Sequence, residues 1–203
     1  MKLTIKLPRV RTRSEMLFRW SGYVFFLVGV FALTYVVLTV LDARFFQTSA
    51  NRSLEKQIHT VNEHNVSGTQ PAVKEGDVLG RIDIHRLGLS VVIIQGTSSR
   101  MLRLGAGHIE GTPLPGEAGN SGIAGHRDTF FHELQGVHPT DEIQLQTATG
   151  LLRYEVDWVR VVPPNDMSVL APSTESQLTL VTCYPFRFLG PAPDRFVVHA
   201  RQN

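Results

Sequence analysis

Cys183 is the only cysteine of the 203-residue chain, and its position indicates nucleophilic chemistry. An apolar, β-branched run at 178–182 precedes it, and Tyr184-Pro185 follows at once, which ends strand pairing because proline has no N–H. The thiol is therefore predicted where a strand meets a loop, a place that combines rigid support with access. On composition alone, the simpler explanation is a structural thiol, since free cysteine is commonly buried.

Two further residues supply what a cysteine nucleophile needs. A thiol with an ordinary pKa of about 8.5 is mostly protonated at neutral pH, so it requires a base or a positive neighbour. His126 is the favoured one of eight histidines, because it lies between a small apolar strand and a short turn. Arg195 begins a strand after a proline-rich loop and is the candidate donor to the oxyanion of an acyl-transfer intermediate. Taken singly, each has a plain explanation: a surface or hydrogen-bonded histidine, and an arginine paired with Asp194.

The elements that must position these residues are short strands. Beyond residue 76, β-type runs alternate with glycine, proline, asparagine and aspartate, which is typical of a barrel or a sandwich. The sequence shows no βαβ alternation, internal repeat or glycine-rich phosphate loop, so nucleotide chemistry is not expected. The predicted strands are 78–84, 90–94, 121–124, 142–146, 152–162, 177–182 and 195–200, and short helical turns are predicted at 98–104 and 129–134.

An apolar segment near the N-terminus predicts a single-pass membrane anchor. Residues 20–41 contain no charge, and these 22 residues would span about 33 Å as a helix. Residues 1–19 carry six Lys or Arg against Glu15 alone, so the positive-inside rule places the N-terminus in the cytoplasm. A cleaved signal peptide is the alternative, with a candidate site at 48–50, although its apolar region is usually about 7 to 15 residues long.

Composition divides the chain into four parts. We expect a basic cytoplasmic N-terminus at 1–19, the transmembrane helix at 20–41, a polar extracytoplasmic stalk at 42–75 and a folded domain at 76–203. The stalk is interpreted as a solvated spacer that is helical at its start, with a partner-binding segment as the alternative. Hydrophobic residues at 42% and charged residues at 19% support a packed core. Outside the cytoplasm a lone cysteine is unusual, because exported proteins use cysteines mainly in disulfide pairs.

The three residues and their flanking motifs together resemble the sortase family. In that family a strand ending Thr-Leu-any-Thr-Cys carries the nucleophile, an upstream Gly-His supplies the histidine, and a downstream strand carries the arginine. Residues 179–183 (TLVTC) match without a gap. Residues 124–131 (AGHRDTFF), 183–186 (CYPF) and 190–193 (GPAP) look most like class D sortases, with class E as the neighbouring possibility. The likeness extends over essentially all of 76–203.

Two segments depart from the family pattern. A proline is usual where residues 84–86 (Ile-His-Arg) stand, and a Gly-Asp pair is usual where Thr140-Asp141 stands. Neither departure touches the three predicted catalytic positions, so they bear on substrate preference more than on activity. His108, in a Gly-His pair, belongs to the likeness without being a catalytic position of the family.

The resemblance implies a mainly β fold, a closed eight-stranded sortase-type barrel with short helices, after an N-terminal transmembrane helix in the plasma membrane. It implies a cysteine transpeptidase that recognises an LPxT-type sorting signal near the C-terminus of a surface protein. Cys183 would attack the threonine carbonyl, His126 would protonate the departing amine, and Arg195 would hold the substrate and the oxyanion. An amine from a cell wall precursor or a pilin would then resolve the thioacyl-enzyme.

No cofactor, metal or nucleic acid is expected. The basic excess behind the formal net charge of +2 is confined to the N-terminus, and no dense acidic cluster of the kind a calcium loop shows is present. A metal site on His126, His132 and Glu133 lacks the i, i+4 histidine pair of helical zinc motifs.

Two further alternatives remain. A papain-like hydrolase would show its own signature around the cysteine, which is absent here. A noncatalytic membrane-anchored β-barrel scaffold would not need to retain all three catalytic residue types.

Overall fold

The computed structural model describes residues 13–63, 73–188 and 190–203. The predictions for residues 1–12 and for 64–72 of the stalk therefore lie outside the described residues. The chain divides into two units, one that extends to Asp42 and one that runs from Ala43 to Asn203. Each unit is described by itself.

Helix α1 covers Arg13–Glu63 and helix α2 covers Ser99–Leu104. Three short 3-10 helices lie at His85–Leu87, His132–Gly136 and Met167–Leu170. The strands are β1 Val78–Ile84, β2 Leu89–Gln95, β3 Ala106–His108, β4 Asn120–Ala124, β5 Glu142–Thr147, β6 Gly150–Val162, β7 Gln177–Tyr184 and β8 Asp194–Gln202.

The first unit carries the apolar part of α1. A window within Trp20–Ala50 reaches a mean hydropathy of 2.6, and large side chains such as Phe25 and Phe31 are exposed. Among the described residues, this is the one stretch long and apolar enough to cross a bilayer. A signal sequence near the N-terminus meets the same criterion. The support for the predicted anchor is therefore limited to the length and composition of this helix.

The second unit contains a closed eight-stranded barrel, as the family resemblance predicted. Around the barrel the strands follow the order β1-β2-β3-β4-β7-β8-β6-β5. Two neighbouring pairs, β2–β3 and β4–β7, are parallel, and the others are antiparallel. Closure leaves the sheet without a long free edge.

Alternation along the strands fills the interior of the barrel. In β7, Leu178 and Leu180 are fully buried in the main core cluster, so the even-numbered residues of this strand face inward. Thr179, Val181 and Cys183 therefore face outward. The other interior side chains that are fully buried include Ile82, Ile84, Ile93, Ile123, Phe131, Leu134, Ile143, Leu145 and Val198.

All seven predicted strands are present, each within two residues of its predicted bounds. The sequence did not predict β3, which is only three residues long and contains a glycine. The helical turn predicted at 98–104 corresponds to α2. The one predicted at 129–134 is displaced, because residues 129–131 form a turn and the 3-10 helix begins at His132.

The segment predicted as a solvated stalk starts as helix that packs on the barrel. Gln47 of α1 accepts a hydrogen bond from the backbone N–H of Val92 at 3.0 Å and donates to the carbonyl of Leu104 at 2.5 Å. Ala50 is buried in a second apolar cluster with Val92 and Met101. This part of the stalk belongs to the folded unit, because Gln47 completes backbone hydrogen bonds of β2 and α2 that the barrel leaves open.

The two segments that depart from the family pattern contact each other. Arg86 donates to both carboxylate oxygens of Asp141 and to the carbonyl of Gly136. The hydrogen bond from Arg86 holds the pKa of Asp141 below its usual range. Thr140 has a φ of 73°, the left-handed conformation that favours glycine, which is the residue usual at this position in the family.

Candidate active site

The predicted nucleophile and the predicted arginine are cross-strand neighbours. In the antiparallel pair β7–β8, Cys183 lies directly opposite Arg195. Opposed residues project from the same face of a sheet, and alternation puts this face on the outside, away from Leu180 and Val198 of the core. Cys183 is half-buried and carries a free thiol. The strand thus fixes the sulfur at a position that a ligand can reach.

The predicted histidine comes just after the end of β4, the strand next to β7. Strands β4 and β7 run parallel, their last paired residues are Ala124 and Val181, and the N–H of Gly125 donates to the Val181 carbonyl at 3.1 Å. His126 and Cys183 each come two residues after this last pair, and His126 is exposed. The structure therefore brings all three predicted residues to one end of three adjacent strands.

A tight turn fixes the backbone of His126. The N–H of Phe131 donates to the His126 carbonyl at 3.0 Å, and the Phe131 ring is fully buried. A Cβ on Gly125 would lie 2.6 Å from this ring, so only glycine lets the ring pack directly against the chain. The Thr182 hydroxyl donates to the Gly125 carbonyl at 2.7 Å. The glycine before the histidine and the threonine before the cysteine thus join the two motifs.

One wall beside these strands comes from the connection between β6 and β7. The Thr179 hydroxyl donates to the side-chain oxygen of Asn120 at 2.7 Å, and the Asn120 amide donates to the Val169 carbonyl at 3.0 Å. Leu170 lies against the Cα of Gly122. These contacts hold the 3-10 helix at 167–170 on the outer face of β4 and β7. The first threonine of the TLVTC string therefore anchors this wall.

Arg127 holds the part of the β7–β8 loop, residues 185–193, that the structure describes. The Arg127 side chain is 8% exposed. Its Nη1 donates to the Pro185 carbonyl at 2.8 Å, and its Nη2 donates to the carbonyls of Phe188 at 2.7 Å and Gly190 at 3.3 Å. Arg127 was not among the site residues predicted from the sequence. Its only signal was its place in the Gly-His-Arg-Asp string.

Carbonyl groups at the junction of this loop with β8 hold Arg195. Its Nη1 donates to the Asp194 carbonyl at 2.9 Å and to the Ala192 carbonyl at 3.4 Å. Within the described residues, Arg195 makes these backbone contacts rather than an ion pair with the Asp194 carboxylate. Its Nε and Nη2 have no protein acceptor there, so these N–H groups remain available to a negatively charged oxygen.

The metal site that was weighed as an alternative, on His126, His132 and Glu133, has no geometric support. Among the described residues, no group of three His, Cys, Asp or Glu side chains could hold a metal ion. His132 has protein partners at both ring nitrogens: Nδ1 lies 3.3 Å from the Arg127 carbonyl oxygen, and Nε2 lies 3.2 Å from the Gln135 amide nitrogen.

His108 has a structural role, and its hydrogen-bond partners do not include any of the three site residues. Its Nδ1 lies 2.8 Å from the Gln95 side-chain oxygen, and its Nε2 lies 2.9 Å from the Pro113 carbonyl oxygen. Burial lowers the pKa of His108, which favours the neutral ring. His108 therefore links β2 and β3 to the loop before β4.

Residues 82–203 match the family model described as a sortase domain. The chain belongs to the sortase family. It is 30% identical over 128 residues to Sortase D of Bacillus subtilis (strain 168). That match covers 63% of this chain and 65% of the relative, so the sortase spans just under two thirds of the relative's length.

Solved structures give the same assignment. The sortase is similar to a Clostridium perfringens Sortase D5 transpeptidase, at 29% identity and a TM-score of 0.64, over 80% of this chain and 98% of that one. It is also similar to a Clostridium perfringens sortase C with the C-terminal cell wall sorting motif, at 29% identity and a TM-score of 0.60, over 74% of this chain and 87% of that one. The sortase is thus most like class D, as its motifs predicted.

Proposed function

We propose that this sortase is a membrane-anchored cysteine transpeptidase that cleaves a C-terminal sorting signal of the LPxT type and transfers the protein to an amine. The observation that carries the proposal is the meeting of Cys183, His126 and Arg195 at one end of β4, β7 and β8. Two neighbours support it, since one is a transpeptidase and the other was solved with a C-terminal cell wall sorting motif.

In the first half of the reaction, the Cys183 thiolate forms a bond to the carbonyl carbon of the signal's threonine. The carbonyl oxygen becomes an oxyanion, and the Nε and Nη2 donors of Arg195 stabilise it. As the C–N bond breaks, the protonated imidazole of His126 gives its proton to the departing amine. The products are a thioacyl-enzyme and a free C-terminal fragment.

In the second half, an acceptor amine attacks the thioester carbon. His126 takes a proton from this amine, the C–S bond breaks, and the Cys183 thiolate returns with a protonated imidazole. The acceptor is the amine of a cell wall precursor or of a pilin subunit. Water in its place would make the enzyme a plain cysteine peptidase.

The proposed placement puts residues 20–41 in the plasma membrane, the basic residues 1–19 in the cytoplasm and the catalytic domain outside. The positive-inside rule supports this orientation. It also places Cys183 on the side of the membrane where surface proteins and wall precursors meet. The partners of the sortase are then proteins that carry a C-terminal sorting signal, an amine acceptor and the membrane itself.

The test uses the full chain purified in detergent, with LPxTG and LPxTA peptides and an added amine. Mass spectrometry should detect a thioacyl adduct on Cys183 and a product joined to the amine rather than to water. Replacement of Cys183 by alanine should abolish cleavage. His126→Asn should lower kcat about 100-fold or more. Undiminished cleavage by Cys183→Ala would refute the nucleophile, and hydrolysis with no amine product would favour the peptidase.

A further inference from the structure

Arg127 links the turn that carries His126 to the loop that orients Arg195. We propose that Arg127 is a positioning residue of the active site, which acts through the β7–β8 loop on the guanidinium of Arg195. The proposal rests on the proposed function of the same site. It assigns a task to an arginine that does not itself touch the reacting atoms.

The partners of Arg127 are almost all backbone carbonyls of the β7–β8 loop. Three carbonyl oxygens accept from its Nη atoms, and its Nε donates to the Asp128 carboxylate at 3.3 Å. Four of the five N–H donors of the guanidinium are thus engaged. Asp128 is 72% exposed, so its ion pair with Arg127 is weakened by solvent. The carbonyls of the β7–β8 loop are therefore the main partners of the Arg127 guanidinium.

The backbone of Arg127 belongs to a fixed part of the molecule. The preceding residue, His126, begins the turn closed by the buried Phe131, and the Nδ1 of His132 lies 3.3 Å from the Arg127 carbonyl. The guanidinium therefore holds the loop from a rigid base. The loop has a further contact to Arg127, because the Phe188 ring lies 6.0 Å from its Cζ.

The far end of the loop determines where the Arg195 side chain points. Arg195 donates to the Ala192 carbonyl within the loop and to the carbonyl of Asp194, the first residue of β8 after the loop. A loop without Arg127 keeps its covalent ends at β7 and β8 but loses three charge-assisted hydrogen bonds between them. The Ala192 carbonyl that helps orient Arg195 would then move, and a misplacement of about 1 Å at a catalytic group reduces the rate about 100-fold.

The contact requires the shape of arginine as well as its charge. The acceptors Pro185, Phe188 and Gly190 are spread along six residues of the loop and meet the planar fork of one guanidinium. A lysine ammonium is a compact point charge on a flexible stem and does not reproduce this geometry. Lysine at position 127 would therefore keep the positive charge but lose the three simultaneous hydrogen bonds to the loop carbonyls.

The experiment compares Arg127→Lys and Arg127→Met with a matched control, Arg201→Met. Arg201 lies on β8, as Arg195 does, but near the other end of the strand, where it pairs with Asp157. In the full chain in detergent, both Arg127 variants should lower kcat/KM for a sorting peptide about 10- to 100-fold, with the loss mainly in kcat. Arg201→Met should leave kcat/KM within about twofold. The proposal is refuted if Arg127→Lys retains full activity.

A second comparison separates positioning from a general loss of stability. In an Arg195→Ala background, Arg127→Met should cost less than about threefold in kcat/KM, because the group that it positions is gone. A merely structural role predicts the full loss in both backgrounds. Equal losses, with or without Arg195, would overturn the proposal.

A third readout does not depend on activity. Arg187 is exposed within the β7–β8 loop, so trypsin cleavage after it reports how often the loop opens. Cleavage at this bond should be about tenfold faster in both Arg127 variants and unchanged in Arg201→Met. If the parent enzyme cleaves no sorting peptide, the proposed function fails. The trypsin readout still tests whether Arg127 holds the β7–β8 loop, and unchanged cleavage after Arg187 in the Arg127 variants refutes it.

Discussion

Replacing Gly125 with alanine should damage both the stability and the activity of the sortase. The added methyl carbon would lie 2.6 Å from Cδ2 and 2.7 Å from Cγ of the Phe131 ring. Carbon atoms normally approach no closer than about 3.5 Å, so the ring or the strand end must move by roughly 1 Å. Phe131 is fully buried in the core cluster and has no open side into which it can retreat.

The expected magnitude follows from this overlap. Overpacking of a tight core costs about 1 to 3 kcal/mol in the free energy of unfolding. For a folded unit of this size, that corresponds to a drop in Tm of roughly 2 to 12 °C. His126 is the next residue along the chain, so a shift of about 1 Å in this turn should also lower kcat by about 10- to 100-fold.

The assay combines thermal unfolding with peptide cleavage by the full chain. A Phe131→Leu background provides the control, because the smaller side chain leaves room for the methyl group. In that background, the Gly125→Ala substitution should lower Tm by clearly less than it does in the parent. A Gly125→Ala variant with the parent's Tm and kcat would show that the ring does not pack against this glycine. That result would remove the proposed reason for the Gly-His motif.

Two further predictions concern the turn before β5. Thr140→Gly should raise Tm by a few degrees in thermal unfolding, because it relieves about 1 to 2 kcal/mol of strain in the left-handed backbone conformation. Glycine also stabilises the unfolded chain through its greater conformational entropy, but only by roughly 0.5 to 1 kcal/mol. A lower Tm would contradict the strain. Asp141→Asn should be less stable than the parent near neutral pH, and thermal melts should show this difference shrinking as the pH falls below about 4. The sign follows because Arg86 depresses the pKa of Asp141, so its stabilisation is present above the ordinary carboxyl pKa and is lost on acidification through the folded pKa; a pH-independent difference would exclude this ion pair as the cause.

The sequence predicted the elements that have a local pattern. Seven strands follow from β-branched runs bounded by turn residues, and Cys183 and His126 were both expected at strand ends. The closed barrel and the proximity of the three residues were predicted from the family resemblance, because the spacing of apolar residues does not determine the order of the strands. The three residues of β3, Ala106–His108, are too few to show an alternation.

Contacts between distant segments were not predictable. Arg127 donates to carbonyl groups 58 to 63 residues away in the chain. Every residue has a backbone carbonyl, so the loop sequence does not indicate which of them accept these hydrogen bonds. Gln47 likewise binds backbone groups of Val92 and Leu104, so the polar composition of the stalk gave no sign of packing. Thr140 was noted as a departure, but its backbone strain became visible only with its φ angle.

The packing of residues 46–50 on the barrel decides where a water-soluble form of this enzyme should begin. A recombinant form that starts at residue 76 would expose the surface of Val92, Ile94 and Met101 that Ala50 covers, and it would leave the Val92 N–H without the Gln47 acceptor. Such a protein should precipitate or form dimers through this patch. One that starts at Ala43 keeps the cover and still omits the apolar residues 20–41, so it is the better starting point for crystallisation and for peptide-ligation work.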